Sequence, residues 1–199
     1  MKLNRRLFLG AVVAGTASLA APRAFAEVKS AERPGLLPRA MAALDSQRFR
    51  IANREVIGLV DFAAHSREAR FHLVDVGNGR VATSFLVAHG SGSDPGNSGW
   101  VQRFSNRPGS NASCEGSFLT GATYYGQHGR SRKLEGLDAD NNRAFQRAIV
   151  IHGADYVSGQ IVEMQGRVGR SQGCFAVSRR DIGDVLDRLG PSHLLFAAK

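Results

Sequence analysis

The sequence predicts an α+β domain, mostly β with flanking helices. Three observations carry that expectation. Runs rich in β-branched and aromatic residues follow one another closely between Val56 and Ala88. Glycine and asparagine occupy the linker between two of them. Apolar residues at helical spacing stand out near the two ends of that region and of the chain, at 34–49 and 178–189.

Taken in order, Pro34 to Phe49 opens with prolines and then spaces its apolar residues at helical intervals, which predicts an amphipathic helix with Pro38 in its first turn. Strands are expected at 56–63, 70–75 and 81–88, with Val76-Gly-Asn-Gly-Arg80 as a hairpin turn. The glycine-, serine- and asparagine-rich stretch 90–116 is too long for a simple connection, and loops of that length are usually functional or mobile, so it is expected to wall a cleft. Phe118–Tyr125 reads as a further strand, followed by a glycine-flanked turn over 126–133 that holds His128. Arg143 and Arg147 are expected on a solvated face ahead of a strand at 148–151. Ser178-Arg-Arg-Asp181 resembles a capping box and precedes Ile182, Val185, Leu186 and Leu189 at helical spacing, with Gly190-Pro191 as the stop. Leu194–Ala197 closes the chain as a strand.

The N-terminus has another character. Arg5-Arg6 before Leu7-Phe8-Leu9, an apolar run to Ala21 and the small residues of Ala24-Phe-Ala26 predict a twin-arginine export signal over residues 1–26, with periplasmic delivery of residues 27–199 as a single domain whose core spans about 50–199. The apolar run from Leu7 to Ala21 is shorter than the roughly 20 residues a spanning helix needs, so no stable membrane span is expected after cleavage. Cleavage would remove Lys2, Arg5, Arg6 and Arg23 and no acidic residue, lowering the formal net charge from +9 to +5. That moderate basicity suits an anionic cell wall. A nucleic-acid reader would show a dense basic stripe interleaved with aromatics, which the sequence lacks. With only two cysteines, Cys114 and Cys174, no disulfide framework carries the fold.

Chemistry concentrates in Ile149-Val-Ile-His-Gly-Ala154 and Gly169-Arg-Ser-Gln-Gly-Cys-Phe-Ala-Val177. A cysteine attacks as thiolate and, with an ordinary pKa of about 8.5, needs a neighbouring histidine or cation to do so at neutral pH. His152, at the expected end of the apolar run, is the candidate base; Arg167 and Arg170 are candidate cations. Gly173 lets the chain bend tightly before Cys174, and main-chain N–H groups of such a turn, with Gly153, are candidate oxyanion donors. The position of Cys174 just ahead of the expected helix would favour thiolate modestly. Read from spacing alone, His152 and Cys174 equally suit a satisfied strand-end histidine and a small buried hydrophobe.

His-Gly after a strand, then Ser171-Gln172-Gly173-Cys174, resembles the signature of YkuD-type L,D-transpeptidases. The resemblance extends to 87–92, 104–106, 126–131 and 134–137, and covers roughly residues 50–199. It implies a YkuD-like β-rich catalytic fold, Cys174 as nucleophile, His152 as base, and peptidoglycan stem peptides as substrate, with no cofactor. It further implies that His128 runs beside the centre. Ser171, Arg170, Gln172, His128 and Tyr125 are expected to bind substrate, and Arg130 could join Tyr125 in holding a carboxylate. Two positions depart from the better-known members: Gln172 replaces the usual histidine, and Phe175-Ala176 replaces an aliphatic residue and arginine. A non-catalytic wall-binding module is therefore a second reading, and an L,D-carboxypeptidase of the same mechanism a third. A metal peptidase has little to stand on, because none of the six histidines lies in His-Glu-x-x-His.

Overall fold

The structure, a computed structural model, describes residues 34–199; the expected export signal lies outside the described residues. In chain order the elements are α1 (Leu37–Ser46), β1 (Val56–Asp61), β2 (Phe71–Asp75), β3 (Arg80–Phe85), β4 (Gly116–Gly126), β5 (Gly129–Gly136), β6 (Val150–Ala154), α2 (Gly159–Gln165), β7 (Phe175–Ser178), α3 (Ile182–Arg188) and β8 (Leu194–Ala198). All eight strands form one mixed sheet in the order β3-β2-β1-β8-β4-β5-β6-β7. Only the β1/β8 and β6/β7 pairs are parallel.

The last strand sits in the middle of the sheet because it is apolar on both faces. Leu194, Phe196 and Ala198 meet Leu37, Ala40 and Leu44 of α1 together with Ile57, Leu59 and Val74. Leu195 and Ala197 face the opposite layer, where Phe71, Phe118 and Phe175 pack with Val185, Leu186 and Leu189 of α3. This alternation is the period-two signature of a strand, and burial on both faces gives β8 its unbroken apolar run. Proline within the first turn of α1 costs no hydrogen bond, since the N–H it lacks would have had no partner there.

The two edges of the sheet are drawn together. Beyond β3 the chain continues to Ala88, whose N–H donates to Ala176 of β7 at 2.8 Å, and Gly90 bridges Ser171. The far edge strand is thereby covered by the segment that leads into the long loop 91–115, so the loop and the turn before β7 are held against each other.

Four local expectations are corrected. The segment 129–133 is strand rather than turn: the hairpin closes over Gln127-His128 alone, with Gly129 at φ 76°, and Arg132 is buried, donating to the carbonyls of Gly121 and Leu186. An Arg-Ser-Arg-Lys run reads as solvated because sequence gives no sign that a guanidinium will be used to satisfy main-chain carbonyls. β6 reaches Ala154, so His152 and Gly153 lie inside the strand rather than after it. β7 intervenes between Cys174 and α3, so Cys174 is not at a helix N-terminus; the Ser178 and Asp181 side chains do hydrogen-bond each other, at 2.6 Å, one turn before the helix body. The helix α2 was not expected. It is capped by Ser158 Oγ accepting from the N–H of Ile161 and closed by Gly166 at φ 70°, and it buries no residue, which is why no apolar period announced it. Among the described residues no helix is long and apolar enough to cross a membrane.

Candidate active site

A cleft of about 680 Å³ opens between the hairpin turn 127–128, the segment 146–148, the turn 170–174 and the loop tip at 108–111. His128, His152, Arg170, Ser171, Gln172 and Cys174 line it. The strand register explains how two residues 22 positions apart converge. His152 pairs laterally with Ala176 across the parallel β6/β7 ladder, and Cys174, two residues before Ala176, projects from the same face. At roughly 3.3 Å per residue along a strand and about 4.8 Å between strands, an imidazole and a thiol at these positions share one patch of surface.

The tautomer of His152 follows from its partner. Nδ1 lies 3.0 Å from the carbonyl oxygen of Gly153, which can only accept, so Nδ1 carries the proton and Nε2 keeps its lone pair. Burial lowers the His152 pKa; the hydrogen bond to Gly153 works against that, while His128 and Arg179 add to the lowering. The His128 ring stacks on His152 with centroids 4.1 Å apart and planes 20° from parallel. The cleft's second imidazole therefore comes from the β4–β5 turn, while Gln172 lines the same cleft from the turn before the cysteine.

The resting thiol differs from the expected ion pair. Burial raises the Cys174 pKa, and an N–H of Val150 and the charge of Arg147 offset that only in part. Sγ donates to the carbonyl oxygen of Ala148 at 3.5 Å. Ala148 holds φ 54°, an unusual conformation for a residue with a side chain. Neither expected cation reaches the sulfur: Arg167 is spent on Asn97 and the Gln165 carbonyl, and Arg170 donates to the main-chain oxygen of Asp94. The cation felt by the sulfur is Arg147, placed by sequence on a solvated face. It instead reaches inward to the carbonyl oxygens of Ser105 and Ala112 and to Ser110 Oγ, tying the loop to the cleft floor. A neutral imidazole and a neutral thiol lining one cleft suit general-base activation on attack.

The turn before the cysteine is held by Ser171. Its Oγ accepts from the N–H of Gly173 at 3.1 Å and donates to the carbonyl oxygen of Cys174 at 2.7 Å, and its main chain bonds both His89 and Ser91. Gly173 sits at φ 113°; a Cβ there would lie 2.7 Å from the Ala112 carbonyl oxygen and 2.9 Å from Ile149 Cδ1. Gly173→Ala is therefore expected to lower stability by about 2 kcal/mol, from left-handed strain plus overlap with main chain. Urea denaturation checks this, and a change within about 0.5 kcal/mol, the range of an ordinary surface substitution, would contradict it.

Several expected site residues stand elsewhere. Gly153 is buried and faces away from the cleft: its absent Cβ would meet Ile182 and the Cα of Arg179, so glycine there serves the close approach of the segment leading into α3. The Gly173 N–H is occupied by Ser171. Tyr125 is 81% exposed on the hairpin and does not line the cleft, and Arg130 is paired with Asp187. Alternation explains both, since successive side chains of a hairpin point to opposite faces. Cys114 is a free, buried thiol whose pKa burial pushes up to about 11.

Behind the cleft lies a buried polar chain that sequence reading missed. Arg70, 1% exposed, donates to the carbonyl oxygens of Val87 and Ala64 and to His89 Nδ1 at 2.7 Å. Nδ1 must accept, so Nε2 carries the proton toward Asp94 Oδ2 at 3.3 Å. The Asp94 carboxylate also takes the N–H groups of Ser98 and Gly99 and Ser98 Oγ. Burial works to raise the Asp94 pKa, but these hydrogen bonds outweigh it and hold it below the usual range. Asp94-Pro-Gly-Asn after His89-Gly90 is the only local hint, an Asx-type turn whose carboxylate is committed to its own loop.

Burial, reinforced by Arg70, lowers the His89 pKa from 6.5 to about 4. Between those values the unfolded chain binds a proton that the folded one refuses, so this group's contribution to stability is full above about pH 6.5 and falls progressively as pH drops toward 4. Unfolding free energy measured from pH 7 to 4 should show that loss, and His89→Gln should flatten it; a slope unchanged by His89→Gln would place the proton uptake elsewhere.

Family comparisons agree with the β-rich scaffold. A family model for the L,D-transpeptidase catalytic domain matches residues 29–198, and the chain belongs to that family. No curated protein sequence matches it. Solved structures similar to it include an L,D-transpeptidase from Mycobacterium smegmatis, with 14% identity and a TM-score of 0.45 over 73% of this chain and 59% of that one. Another is the L,D-transpeptidase from Xylanimonas cellulosilytica, with 17% identity and a TM-score of 0.43 over 81% and 70%. A third, from Mycobacterium tuberculosis, has 14% identity and a TM-score of 0.41 over 73% and 58%. The chain thus spans about three fifths of the mycobacterial structures it matches. Among the described residues no group of histidine, cysteine, aspartate or glutamate is arranged to hold a metal ion.

Proposed function

We propose that this protein is a periplasmic cysteine L,D-transpeptidase that acts on peptidoglycan stem peptides through a thioester at Cys174. The observation that carries the reading is the shared cleft of Cys174 and His152, with the proton of His152 fixed on Nδ1 by Gly153. His152 Nε2 takes the thiol proton as Sγ attacks the carbonyl of the peptide bond after the diamino acid. The imidazolium then gives that proton to the departing amine of the terminal D-residue. His128, stacked on the base, holds its ring plane through the transfer. With the Gly173 N–H engaged by Ser171, we assign the oxyanion to the N–H of Cys174 itself, at the tip of the same turn.

Gln172 does not count against the reading, because the cleft that it lines also holds an imidazole supplied by His128. Export along the twin-arginine route is part of the proposal and rests on the sequence of residues 1–26. Intact-mass measurement after incubation with a stem tetrapeptide or a carbapenem tests it. The expected result is a stoichiometric adduct localised to Cys174; sacculus binding with no adduct and no released D-residue would favour the wall-binding reading.

A further inference from the structure

Two consecutive residues converge on the turn that presents Cys174, and both line the cleft. The carbonyl oxygen of Ala148 accepts from Cys174 Sγ. The guanidinium of Arg147 packs against the residue before the nucleophile, since a Cβ built on Gly173 would lie 3.1 Å from one of its Nη nitrogens. The chain takes an unusual course here: Ala148 holds φ 54°, in the left-handed region that a Cβ disfavours. Such a conformation persists where the surrounding structure imposes it, and it is commonest at functional sites.

What sets Arg147 apart is the kind of partner it has. Its Nη nitrogens donate to the carbonyl oxygens of Ser105 and Ala112 and to Ser110 Oγ, all of them neutral. No carboxylate lies within 4 Å of it among the described residues. Neutral acceptors fix a guanidinium in place and leave its net charge uncompensated. The cleft's other arginine, Arg170, is drawn away to the main-chain oxygen of Asp94, and its charge acts on His89. The remaining titratable groups that line the cleft are His152 of β6, His128 of the β4–β5 turn and Tyr156 beyond β6. None is a carboxylic acid, and burial pushes the Tyr156 phenol up to about 12, so it stays uncharged. Arg147 is also the cation that works against the burial of the Cys174 thiol.

We propose that Arg147 is a positioning residue whose fixed, uncompensated charge stabilises negative charge on the sulfur of Cys174 during turnover. The inference rests on the thioester reading above and deepens it. Sγ gains negative charge as its proton passes to His152 Nε2 and the S–C bond forms. It gains it again when an amine or water attacks the thioester carbonyl: the electrons of the breaking C–S bond return to sulfur, which then takes its proton from His152. Because the same guanidinium also ties the loop 105–112 to the cleft, charge and tether have to be separated experimentally.

Arg147→Lys keeps the cation, Arg147→Gln keeps hydrogen bonding without charge, and Ser110→Ala removes one tie while leaving the cation in place. Alkylation of Cys174 by iodoacetamide is followed against pH and read by peptide mapping, so that Cys114, 1% exposed, is counted separately. In Arg147→Gln the midpoint of the profile is expected to rise by about one pH unit, the low end of what a nearby opposite charge confers. Arg147→Lys and Ser110→Ala should follow the wild type in this profile, although both lose ties in urea denaturation. Arg147→Met, of similar length and uncharged, replaces the Gln variant if that protein does not fold. A neutral variant whose profile matches the wild type overturns the proposal. So does an Arg147→Lys profile displaced as far as that of the neutral variant, which would leave Arg147 a tether alone. Acyl-enzyme formed from a stem tetrapeptide and followed by intact mass should be lost to water about tenfold more slowly in the neutral variant than in Arg147→Lys, the equivalent of one pKa unit. Loss at equal rates in the two overturns the proposal. Absence of any adduct in the wild type removes the thioester reading instead, and the alkylation profiles then decide Arg147 by themselves.

Discussion

Cys174→Ala is expected to abolish the covalent adduct and to lower turnover by about 10³-fold or more, while the protein stays folded. Losing a half-buried thiol that hydrogen-bonds only one carbonyl costs little packing, so the melting temperature should move by no more than a few degrees. His152→Gln should also lower turnover, by about 10²-fold or more, because the proposed mechanism hands the thiol proton to Nε2, the nitrogen left free by the Nδ1 bond to Gly153. The resting charges sharpen the test. Since burial raises the Cys174 pKa and lowers that of His152, both are neutral at pH 7, and iodoacetamide should alkylate the free enzyme slowly at neutral pH and faster as pH rises into the alkaline range. Turnover on the acid side should fall as His152 gains a proton, with a midpoint below 6.5. Rapid alkylation at pH 6 would show a resting thiolate and overturn the general-base assignment.

The second large effect is on stability. Asp94→Ala is expected to lower the unfolding free energy by about 3 to 5 kcal/mol, the range seen when one partner of a buried charged set is removed. It removes one of the three carboxylate charges that act on Arg70, the others being Asp61 and Glu68, strips His89 Nε2 of its acceptor, and frees the N–H groups of Ser98 and Gly99. Asp94 also anchors Arg170 through its main-chain oxygen, and His89 holds Ser171, so the loosened loop should disturb the turn that presents Cys174. Restoring hydrogen bonding without charge, by Asp94→Asn, should recover part of the loss. Equal stability of Asp94→Ala and wild type in urea would mean that the chain from Arg70 to Asp94 is dispensable.

Sequence by itself determined the local elements and the candidate pair. Runs of apolar, β-branched and aromatic residues marked β1, β2, β3, β4 and β8, and apolar residues at helical spacing marked α1 and α3, because burial of a strand or of one helix face selects those residues. His152 and Cys174 were legible as candidates because base and nucleophile chemistry draws on particular residue types. What only the tertiary structure decided was every role set by long-range contact. Arg147 and Arg132 look like solvated cations in a one-dimensional pattern, yet both turn inward, since main-chain carbonyls of distant segments supply their partners. Tyr125 and Gly153 read as site residues by proximity in sequence to the motifs, and strand alternation turned both away from the cleft. The charge state of the pair was likewise beyond the motif: a thiol's pKa follows from how much water and how many cations surround it, and here burial outweighs the one cation that reaches it. Residue identity states which chemistry is available, and the placement of distant backbone and charge around the residue states whether, and in which protonation state, it is used.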